Sequence, residues 1–287
     1  MTGFRPRFFL PPDARPAQGG RAAQGGPAAQ GARAAQGGPA GQGSGASAAD
    51  DLTGSEWELG AEDSHHALRA LRLAEGGECE VVAGAAVYAA TVTVARSPVR
   101  VRLTARLEGP AAGARYRVQV GVAQALTRPA LVDHVLEKAT EVGASFFVLV
   151  HTDGSPRWTG RSADDRLARW RRIILEAAKQ SKQVAVPDLQ VAGSIAEALD
   201  TLRGSGTLSL VLDPAAPAGI VERLDPVYSL GGRIALWVGP ESGWTSADAE
   251  ALAGSGAEAV RLGQSILRTE TAGPVAVAVT RLLLRDW

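Results

Sequence analysis

Apolar positions follow two different rhythms along the 287 residues of this chain. In the first part, a short strand pattern at residues 5–10 precedes a helical pattern at residues 62–72, with Asp63 or Ser64 as its N-cap. Three segments then alternate apolar and polar residues, and glycine or proline separates them, as in half-buried strands. The segments are 79–83, 86–94 and 99–107, and they predict a small bundle of strands.

After residue 113, apolar strands alternate with amphipathic helices, a pattern that predicts a mostly parallel sheet covered by helices. The clearest helix spans residues 131–142, with one apolar face and Gly143 as its C-terminal cap. In the last helix, Gly273-Pro274 is expected to mark the N-terminus. The predicted strands are 116–123, 146–150, 208–212 and 233–238, and the helices are 131–142, 164–183, 246–253 and 271–284.

The stretch from about residue 14 to residue 50 consists almost entirely of Ala, Gly, Gln, Pro and Arg. Its units RAAQGG, PAAQGA and RAAQGG repeat every six residues from position 21 to position 38. Such a tract has no large apolar side chain to bury, so it cannot offset the entropy lost on ordering. We therefore expect a disordered insertion within a first domain of residues 1–112, followed by a second domain of residues 113–287.

Composition excludes several classes of protein. The 30 basic and 30 acidic residues balance to zero, unlike in a strongly basic nucleic-acid-binding module, although local arginine clusters are compatible with this balance. The single cysteine, Cys79, excludes an intramolecular disulfide and fits a reducing cytosol. No apolar run is long enough to span a membrane, and the apolar stretch near the N-terminus is too short for a signal peptide. We expect a soluble, cytoplasmic protein without a membrane partner.

Several common catalytic motifs are absent from the sequence. Neither a phosphate-binding P-loop nor a dinucleotide-binding G-x-G-x-x-G after a strand occurs. The serine at position 242 stands fourth in GPESG, whereas the hydrolase nucleophile elbow G-x-S-x-G requires serine in the third position. His65 and His66 have no further histidine or cysteine at ligand spacing, which argues against a metal site.

Two glycine-punctuated loops each follow a predicted strand, at residues 239–243 and 263–268. Loops at the carboxyl ends of parallel strands build the ligand crevice of α/β proteins. Glycine allows the backbone to approach a ligand closely. The polar side chains of Glu241, Arg268, Thr269 and Glu270 belong to these loops and their surroundings, so the region from 236 to 272 is the candidate site.

Several segments of the chain together resemble the 16S ribosomal RNA (uracil-N3)-methyltransferases, a family of the trefoil-knotted SPOUT class that uses S-adenosyl-L-methionine. The most specific are LWVGPESGW and VRLGQSILRTETA, which occur in order and at the expected separation behind strands. The others are RFFL, HHALRALRLAEGGECEVVAG, LVDHVLEKATEVGASFFVLV and RWRRIILEAAKQSKQVAVPDL. The resemblance covers nearly all of the chain outside the repetitive tract.

The resemblance implies an α/β protein in which a small β-barrel, PUA-like N-terminal domain precedes an α/β trefoil-knot (SPOUT) methyltransferase domain. It also implies a homodimer that acts on 16S rRNA or on the small ribosomal subunit. Its candidate RNA contacts are Arg5, Arg7, His66, Arg69 and Arg72. Its candidate cofactor contacts are Leu212, Val238, Gly239, Pro240, Glu241, Gly243, Leu262, Gly263, Ser265, Ile266, Leu267 and Arg268.

The resemblance further implies methyl transfer from S-adenosyl-L-methionine to N3 of a uridine, with Arg268, Glu270 and Glu241 as the catalytic candidates. Arg268 would stabilise negative charge on the uracil, while Glu270 or Glu241 would accept the proton or orient Arg268. Glu270 has the alternative role of capping the last helix. Two further functions stay open: a SPOUT methyltransferase with another rRNA or tRNA target, and a catalytically weak RNA-binding homologue.

The chain departs from the family pattern at several positions. Ser242 replaces the first glycine of the closing pair in the usual Gly-Pro-Glu-Gly-Gly turn, which is compatible only with a φ that is not strongly positive. Thr127-Arg128-Pro129 replaces the usual lysine-glycine before the first helix of the second domain. We expect these departures to affect substrate contacts more than cofactor contacts.

Overall fold

The computed structural model of the protein describes residues 5–11, 14, 16–17, 51–84, 86–108, 113, 116–153, 155, 161–203, 206–224 and 232–286. The chain divides into two compact units, Met1–Ala112 and Gly113–Trp287. From position 18 to position 50, the predicted disordered insertion lies outside the described residues. Within the described residues, no helix combines the length and the apolar character that crossing a membrane requires.

The first unit is a five-stranded sheet with one helix packed on it. Inward-facing residues of its strands, such as Val81, Tyr88 and Leu103, form a core with Phe8 and Ala67, so the predicted bundle of strands is present. Its elements are β1 (Arg7–Phe9), β2 (Glu56–Glu58), α1 (Ala61–Arg69), β3 (Glu78–Ala83), β4 (Ala86–Val94) and β5 (Arg100–Leu107). The strand order is β1-β3-β4-β5-β2, with β1 parallel to β3 and the other neighbours antiparallel.

The start of α1 differs from the prediction. Gly60 occupies the N-cap position without a side-chain hydrogen bond, and Asp63 lies in the first turn, so the expected cap at Asp63 or Ser64 is wrong. The buried Ser64 instead donates from Oγ to the carbonyl of Leu59 and accepts from the backbone N–H of Val99. Ser64 therefore ties the helix to the segment before β5, a tertiary role that local sequence does not reveal.

The second unit is a six-stranded sheet in which every pair of neighbouring strands is parallel. Its elements are β6 (Gln119–Ala125), α2 (Pro129–Glu141), β7 (Phe146–Val150), α3 (Arg161–Gln180), β8 (Asp188–Ala192), α4 (Ile195–Arg203), β9 (Thr207–Leu212), α5 (Ile220–Leu224), β10 (Arg233–Val238), α6 (Ser246–Gly254), β11 (Glu258–Val260) and α7 (Thr269–Leu283). The strand order is β11-β9-β10-β6-β7-β8. The predicted parallel sheet is confirmed.

Helices cover both faces of this parallel sheet. Leu236 of β10 belongs to a core that includes residues of α2, α3, α5 and α7, whereas its neighbour Trp237 belongs to a core with residues of α4 and α6. Successive strand residues point to opposite faces, so a strand covered on both faces reads as a continuous apolar run. The packing on both faces fixes the carboxyl ends of the strands along one edge.

Helix α7 starts earlier than the sequence predicts. Its N-cap is Arg268, and Pro274 lies inside the helix, so the expectation that Gly273-Pro274 marks the N-terminus is wrong. Pro274 removes one backbone donor from the helix. Gly273 allows close packing at the same place, because a Cβ there would lie 3.4 Å from Cγ1 of Val122 and 3.5 Å from Cγ1 of Val135. The helix therefore continues through the pair while it packs against β6 and α2.

The other end of α7 is held by a fully buried arginine, Arg281. Its guanidinium donates to the carbonyl of Gly143 at 2.7 and 3.0 Å, to the carbonyl of Val118 at 2.6 Å, and to the carboxylate of Asp286 at 3.0 Å. Burial lowers the pKa of Arg281 to about 10, so the side chain stays positive at neutral pH. Gly143 follows α2 with φ of 98°, as its predicted role as C-terminal cap requires. This network joins the end of α7 to the start of β6 and to the end of α2.

Replacing Arg281 by methionine is expected to lower the free energy of unfolding of the second unit by about 3–5 kcal/mol, because it leaves the Asp286 carboxylate without its buried cation and the carbonyls of Gly143 and Val118 without the guanidinium donor. Urea unfolding followed by tryptophan fluorescence measures the change. The matched control is Arg285→Ala at an exposed position, where we expect a change within about 0.5 kcal/mol. Equal unfolding midpoints for the two variants would contradict the role assigned to the network.

Candidate active site

A cavity of about 960 Å³ lies at the carboxyl ends of β9, β10 and β11, entirely within the second unit. This volume is at the upper end of the range for small-molecule sites, about 300–1,000 Å³. Its three walls come from the segments that follow these strands, and α6 and Arg128 complete the lining. The wall segments are 211–214, 238–244 and 262–272. The parallel strands thus bring together segments that are far apart in the sequence.

The loop after β10 is a tight turn that forms the second wall. The backbone N–H of Gly243 donates to the carbonyl of Pro240 at 2.9 Å, and Gly243 has φ of 78°. A Cβ at Gly239 would lie 3.2 Å from the ring of Trp244, so the indole lies directly against this backbone. Thr245 then begins α6 with a capping box. The turn is therefore held on both sides, by β10 and by α6.

Ser242 fits this turn without strain. Among the described residues, Gly243 is the member of the turn that has a positive φ, and Ser242 does not have one. The serine meets the condition derived from the sequence, because only the left-handed region disfavours a residue with a Cβ. Its replacement of the family glycine therefore leaves the shape of the second wall intact.

The first part of the third wall, residues 262–267, belongs to no helix or strand. The backbone N–H groups at positions 263–267 donate no hydrogen bond to any residue that the structure describes. Before this segment, the N–H of Arg261 donates to the carbonyl of Ala218 at 2.9 Å. After it, Oγ1 of Thr269 donates to the carbonyl of Gly239 in the second wall. The segment is thus anchored at both ends while its backbone donors remain available to a ligand.

Charged side chains gather at this cavity. Arg128, the N-cap residue of α2, donates from Nη2 to Oε1 of Glu241 at 2.6 Å. Arg268 is 87% exposed, and its Nη1 lies 4.0 Å from Oε1 of Glu270, which is 18% exposed. The N-terminus of α7 has no side-chain capping hydrogen bond, so Glu270 does not cap this helix by hydrogen bonding. Arg128 is therefore hydrogen-bonded to a carboxylate, whereas Arg268 has a longer ion pair with Glu270 and is mostly exposed.

The sequence-predicted residues of this region all line the one cavity. These are the twelve cofactor candidates together with Glu270. Thr269, one of the polar residues expected at these loops, also lines the cavity, whereas sequence reasoning missed Arg128, Asp213 and Trp244. Trp244 and Thr269 belong to the quoted motifs LWVGPESGW and VRLGQSILRTETA, which offered a signal, whereas Arg128 reaches the site only through the packing of α2.

The candidate RNA contacts lie in the first unit and differ in accessibility. Arg69 and Arg72 are exposed, and His66 is partly exposed. Arg5 is exposed and forms an ion pair with Glu78 at 2.8 Å. Arg7 departs from the expectation, because its side chain is 1% exposed and pairs with Glu80 at 2.8 Å. This pairing gives Arg7 a structural role, and we leave it out of the RNA surface proposed below.

Comparison with known proteins identifies the family. Residues 114–281 match the RNA methyltransferase domain family. A ribosomal RNA small subunit methyltransferase E of Mycobacterium bovis is 31% identical over 241 residues, which are 82% of this chain and 89% of the relative. The chain belongs to this family. The enzyme of the same name in Bacillus subtilis is 25% identical over 240 residues, with 80% of this chain and 93% of the relative covered.

Solved structures show the same fold. A ribosomal RNA small subunit methyltransferase E from Neisseria gonorrhoeae, bound to S-adenosyl methionine, superposes with a TM-score of 0.72 at 24% identity and covers 98% of both chains. A methyltransferase from Legionella pneumophila in complex with S-adenosyl methionine gives a TM-score of 0.71 at 24% identity, with 82% of this chain and 94% of the other covered. These neighbours confirm the predicted α/β fold, in which a mostly antiparallel sheet precedes a parallel sheet covered by helices.

The residues of the cavity fit a cofactor of the size and chemistry of S-adenosyl-L-methionine. The side chains of Leu212, Val238 and Leu262 offer apolar surface to a purine ring. The unpaired backbone N–H groups of the third wall are donors suited to ring nitrogens and hydroxyl oxygens. Gly263 has no atom within 4 Å of the position of a Cβ, so the backbone there is open to a ligand. Apolar walls with a few convergent polar groups are typical of such a site.

Alanine at Gly243 is expected to weaken cofactor binding by about tenfold, because an L-residue in the left-handed region costs about 1–2 kcal/mol and the turn would relax away from the cavity. The matched variant is Ser242→Gly, one residue earlier, which we expect to bind within about twofold of the original chain since Ser242 is not strained. Calorimetric titration with S-adenosylhomocysteine measures both. Equal affinities for the two variants would show that the turn does not shape the wall.

Proposed function

We propose that this chain methylates N3 of a specific uridine in 16S ribosomal RNA with S-adenosyl-L-methionine as the methyl donor. The observation that carries the proposal is the single cavity onto which all twelve candidate cofactor residues converge at the ends of three parallel strands. The membership in the RNA methyltransferase family and the names of its small-subunit relatives support the class of substrate. The two cofactor-bound structural neighbours support the choice of donor.

The cavity residues divide into those that bind and those that face the reacting base. When bound, S-adenosyl-L-methionine supplies an electrophilic methyl group. Leu212, Val238 and Leu262 would exclude water from the ring-binding part, and the backbone N–H groups at 263–267 would hold the cofactor in orientation by hydrogen bonds. Arg268 extends from the cavity into solvent, where a base presented by an RNA strand arrives. With this division of the lining residues, the cofactor would lie inside the cavity and the nucleotide at its opening.

The chemistry of uracil determines what the polar residues contribute. N3 carries a proton in the free base and pairs in a helix, so the target uridine has to be unpaired and displaced from stacking. As the proton leaves, negative charge develops on the two exocyclic oxygens. A guanidinium held near these oxygens lowers the energy of that charge, which is the role of Arg268. Glu270 and Glu241 both line the cavity and are the proton acceptors to consider.

Residues 1–112 are proposed to form a PUA-like RNA-binding domain, and residues 113–287 the methyltransferase domain. The proposed RNA surface is formed by the accessible members of the candidate set: Arg5, His66, Arg69 and Arg72. Cationic side chains of this kind contact phosphate without reading sequence. The same proposal places the protein in the cytoplasm, where its ribosomal substrate is assembled.

The methyltransferase is further proposed to be a homodimer, with the outer face of α7 and helix α3 at the interface. Leu282 on α7 is 65% exposed, a large apolar side chain in a helix that otherwise packs on the core. Val275 and Val279 precede it at helical spacing and are only partly buried. An exposed leucine next to two partly buried valines on the same helix face is compatible with an interface.

Aspartate at Leu282 is expected to shift the protein from dimer to monomer, because a charge would have to be buried in an apolar contact. Sedimentation equilibrium measures the oligomeric state. The control is Val191→Asp on β8, a position 40% exposed that lies outside the proposed interface, where the dimer should persist. An original chain that stays monomeric at assay concentration would contradict the proposal.

Alanine at Arg268 is expected to lower the methyl-transfer rate by about 100- to 1,000-fold at saturating cofactor, since a lost electrostatic donor costs about that much. The assay follows tritium from the cofactor into 16S rRNA or small subunits, and nucleoside mass spectrometry identifies N3-methyluridine. Affinity for S-adenosylhomocysteine should stay within about threefold, because Arg268 acts on the base. Arg203→Ala, on α4, is the control for a change at an exposed arginine. Undiminished transfer by the Arg268 variant would contradict its role, and a methylated ribose would overturn the proposed target.

A further inference from the structure

Two of the carboxylates that line the cavity, those of Glu241 and Glu270, have different surroundings. Glu241 stands in the turn after β10 and is bound by an arginine from another element. Glu270 stands in the first turn of α7, is mostly buried, and accepts no hydrogen bond from any residue that the structure describes. The difference bears on which of the two can receive a proton from a substrate.

The backbone at the start of α2 fixes the position of Arg128. Proline at position 129 restricts the preceding residue to extended conformations, and Arg128 has φ of −56° and ψ of 136°. The carbonyl of Arg128 accepts from the N–H of Leu131 at 2.9 Å, which ties it into the first helical turn. With its backbone held in this way, its guanidinium reaches the turn after β10, 113 positions further along the chain.

The ion pair of Arg128 and Glu241 has two consequences. Its 2.6 Å contact between Nη2 of Arg128 and Oε1 of Glu241 occupies one of the two carboxylate oxygens. A proton placed on that carboxylate would remove the attraction, so Glu241 is a poor acceptor while the pair is closed. The pair also connects the start of α2 to the turn that forms the second wall.

Glu270 lies beside the arginine proposed to face the uracil. Its Oε1 is 4.0 Å from Nη1 of Arg268, which is longer than a hydrogen bond and leaves the carboxylate oxygens available. Glu270 also lies in the first turn of α7, where the helix dipole interacts favourably with negative charge. Acceptor and electrostatic donor are therefore neighbours at the same part of the cavity.

We propose that Arg128 is a positioning residue that engages Glu241, and that Glu270 is the carboxylate that accepts the N3 proton. This division of roles rests on the function proposed above. The N3–H proton passes to an oxygen of Glu270 as the N3 electron pair forms the new bond to the methyl carbon. The bond between the methyl carbon and the sulfonium sulfur of S-adenosyl-L-methionine breaks, and the electron pair of that bond stays on the sulfur. Protonated Glu270 then returns the proton to solvent.

Four variants test the division: Glu270→Gln, Glu241→Gln, Arg128→Ala and the double variant of the last two. Glutamine at Glu270 should lower the single-turnover rate by at least about 100-fold and abolish the rise of rate with pH that a carboxylate base produces. Its affinity for S-adenosylhomocysteine, titrated without RNA, should stay within about twofold, which also shows that the variant is folded. Full activity of this variant would overturn the assignment of the acceptor.

The variants of the ion pair should act on cofactor affinity instead. Arg128→Ala and Glu241→Gln should each weaken S-adenosylhomocysteine binding by a similar factor of at most about fivefold, because an exposed pair contributes little. The double variant should be no weaker than either single one, and both singles should keep the pH dependence of the rate. Arg128→Lys should restore most of the affinity. A loss of the pH dependence in Glu241→Gln, or additive effects in the double variant, would overturn the proposal.

The outcome also separates this inference from the function on which it rests. If the original chain forms N3-methyluridine and glutamine at Glu270 changes neither rate nor pH profile, the function stands and the division of roles fails. If the original chain binds S-adenosylhomocysteine but places no methyl group on N3, the proposed function itself fails.

Discussion

The parallel alignment of β9, β10 and β11 is the constraint on which the site depends. Since all three strands run in one direction, the segments that follow them leave the sheet at the same edge. Positions 212, 239 and 262 are spread over about fifty residues of sequence, yet they line one cavity. An antiparallel neighbour would have sent one of these segments to the opposite edge.

Packing makes this edge a stable place for loops that have no regular structure. Both faces of the sheet are buried, so the strand ends cannot shift independently. Helix α7 is tied to this sheet at both of its ends. At its start, Thr269 bonds to the carbonyl of Gly239, and at its end, Arg281 bonds to the carbonyls of Gly143 and Val118. The segment 262–267 lies between β11 and this anchored helix, so it is held in place although its backbone N–H groups at 263–267 make no hydrogen bond to the described residues.

The sequence predicted best those features that depend on local pattern. The strands Phe146–Val150 and Arg233–Val238 have the predicted bounds, because fully buried parallel strands read as unbroken apolar runs. Predictions failed where a tertiary contact decides. Ser64 bonds across to the segment before β5, and Pro274 is tolerated in a helix whose neighbour Gly273 packs tightly. The candidate cofactor residues came from the resemblance, and Arg128 was missed because its contact with Glu241 exists only once α2 meets the turn after β10. Periodicity alone carried no information about a knot.

The central claim is that the ends of three parallel strands form one cofactor site, and hydrogen–deuterium exchange tests it most directly. Exchange is measured by mass spectrometry on the full chain with and without S-adenosylhomocysteine. Peptides that cover 238–243 and 262–268 should both exchange more slowly with the ligand, because their backbone groups become bonded or excluded from water. Peptides from β3 to β5 should not change. Binding without protection of both loops, or with protection confined to the first unit, would contradict the account.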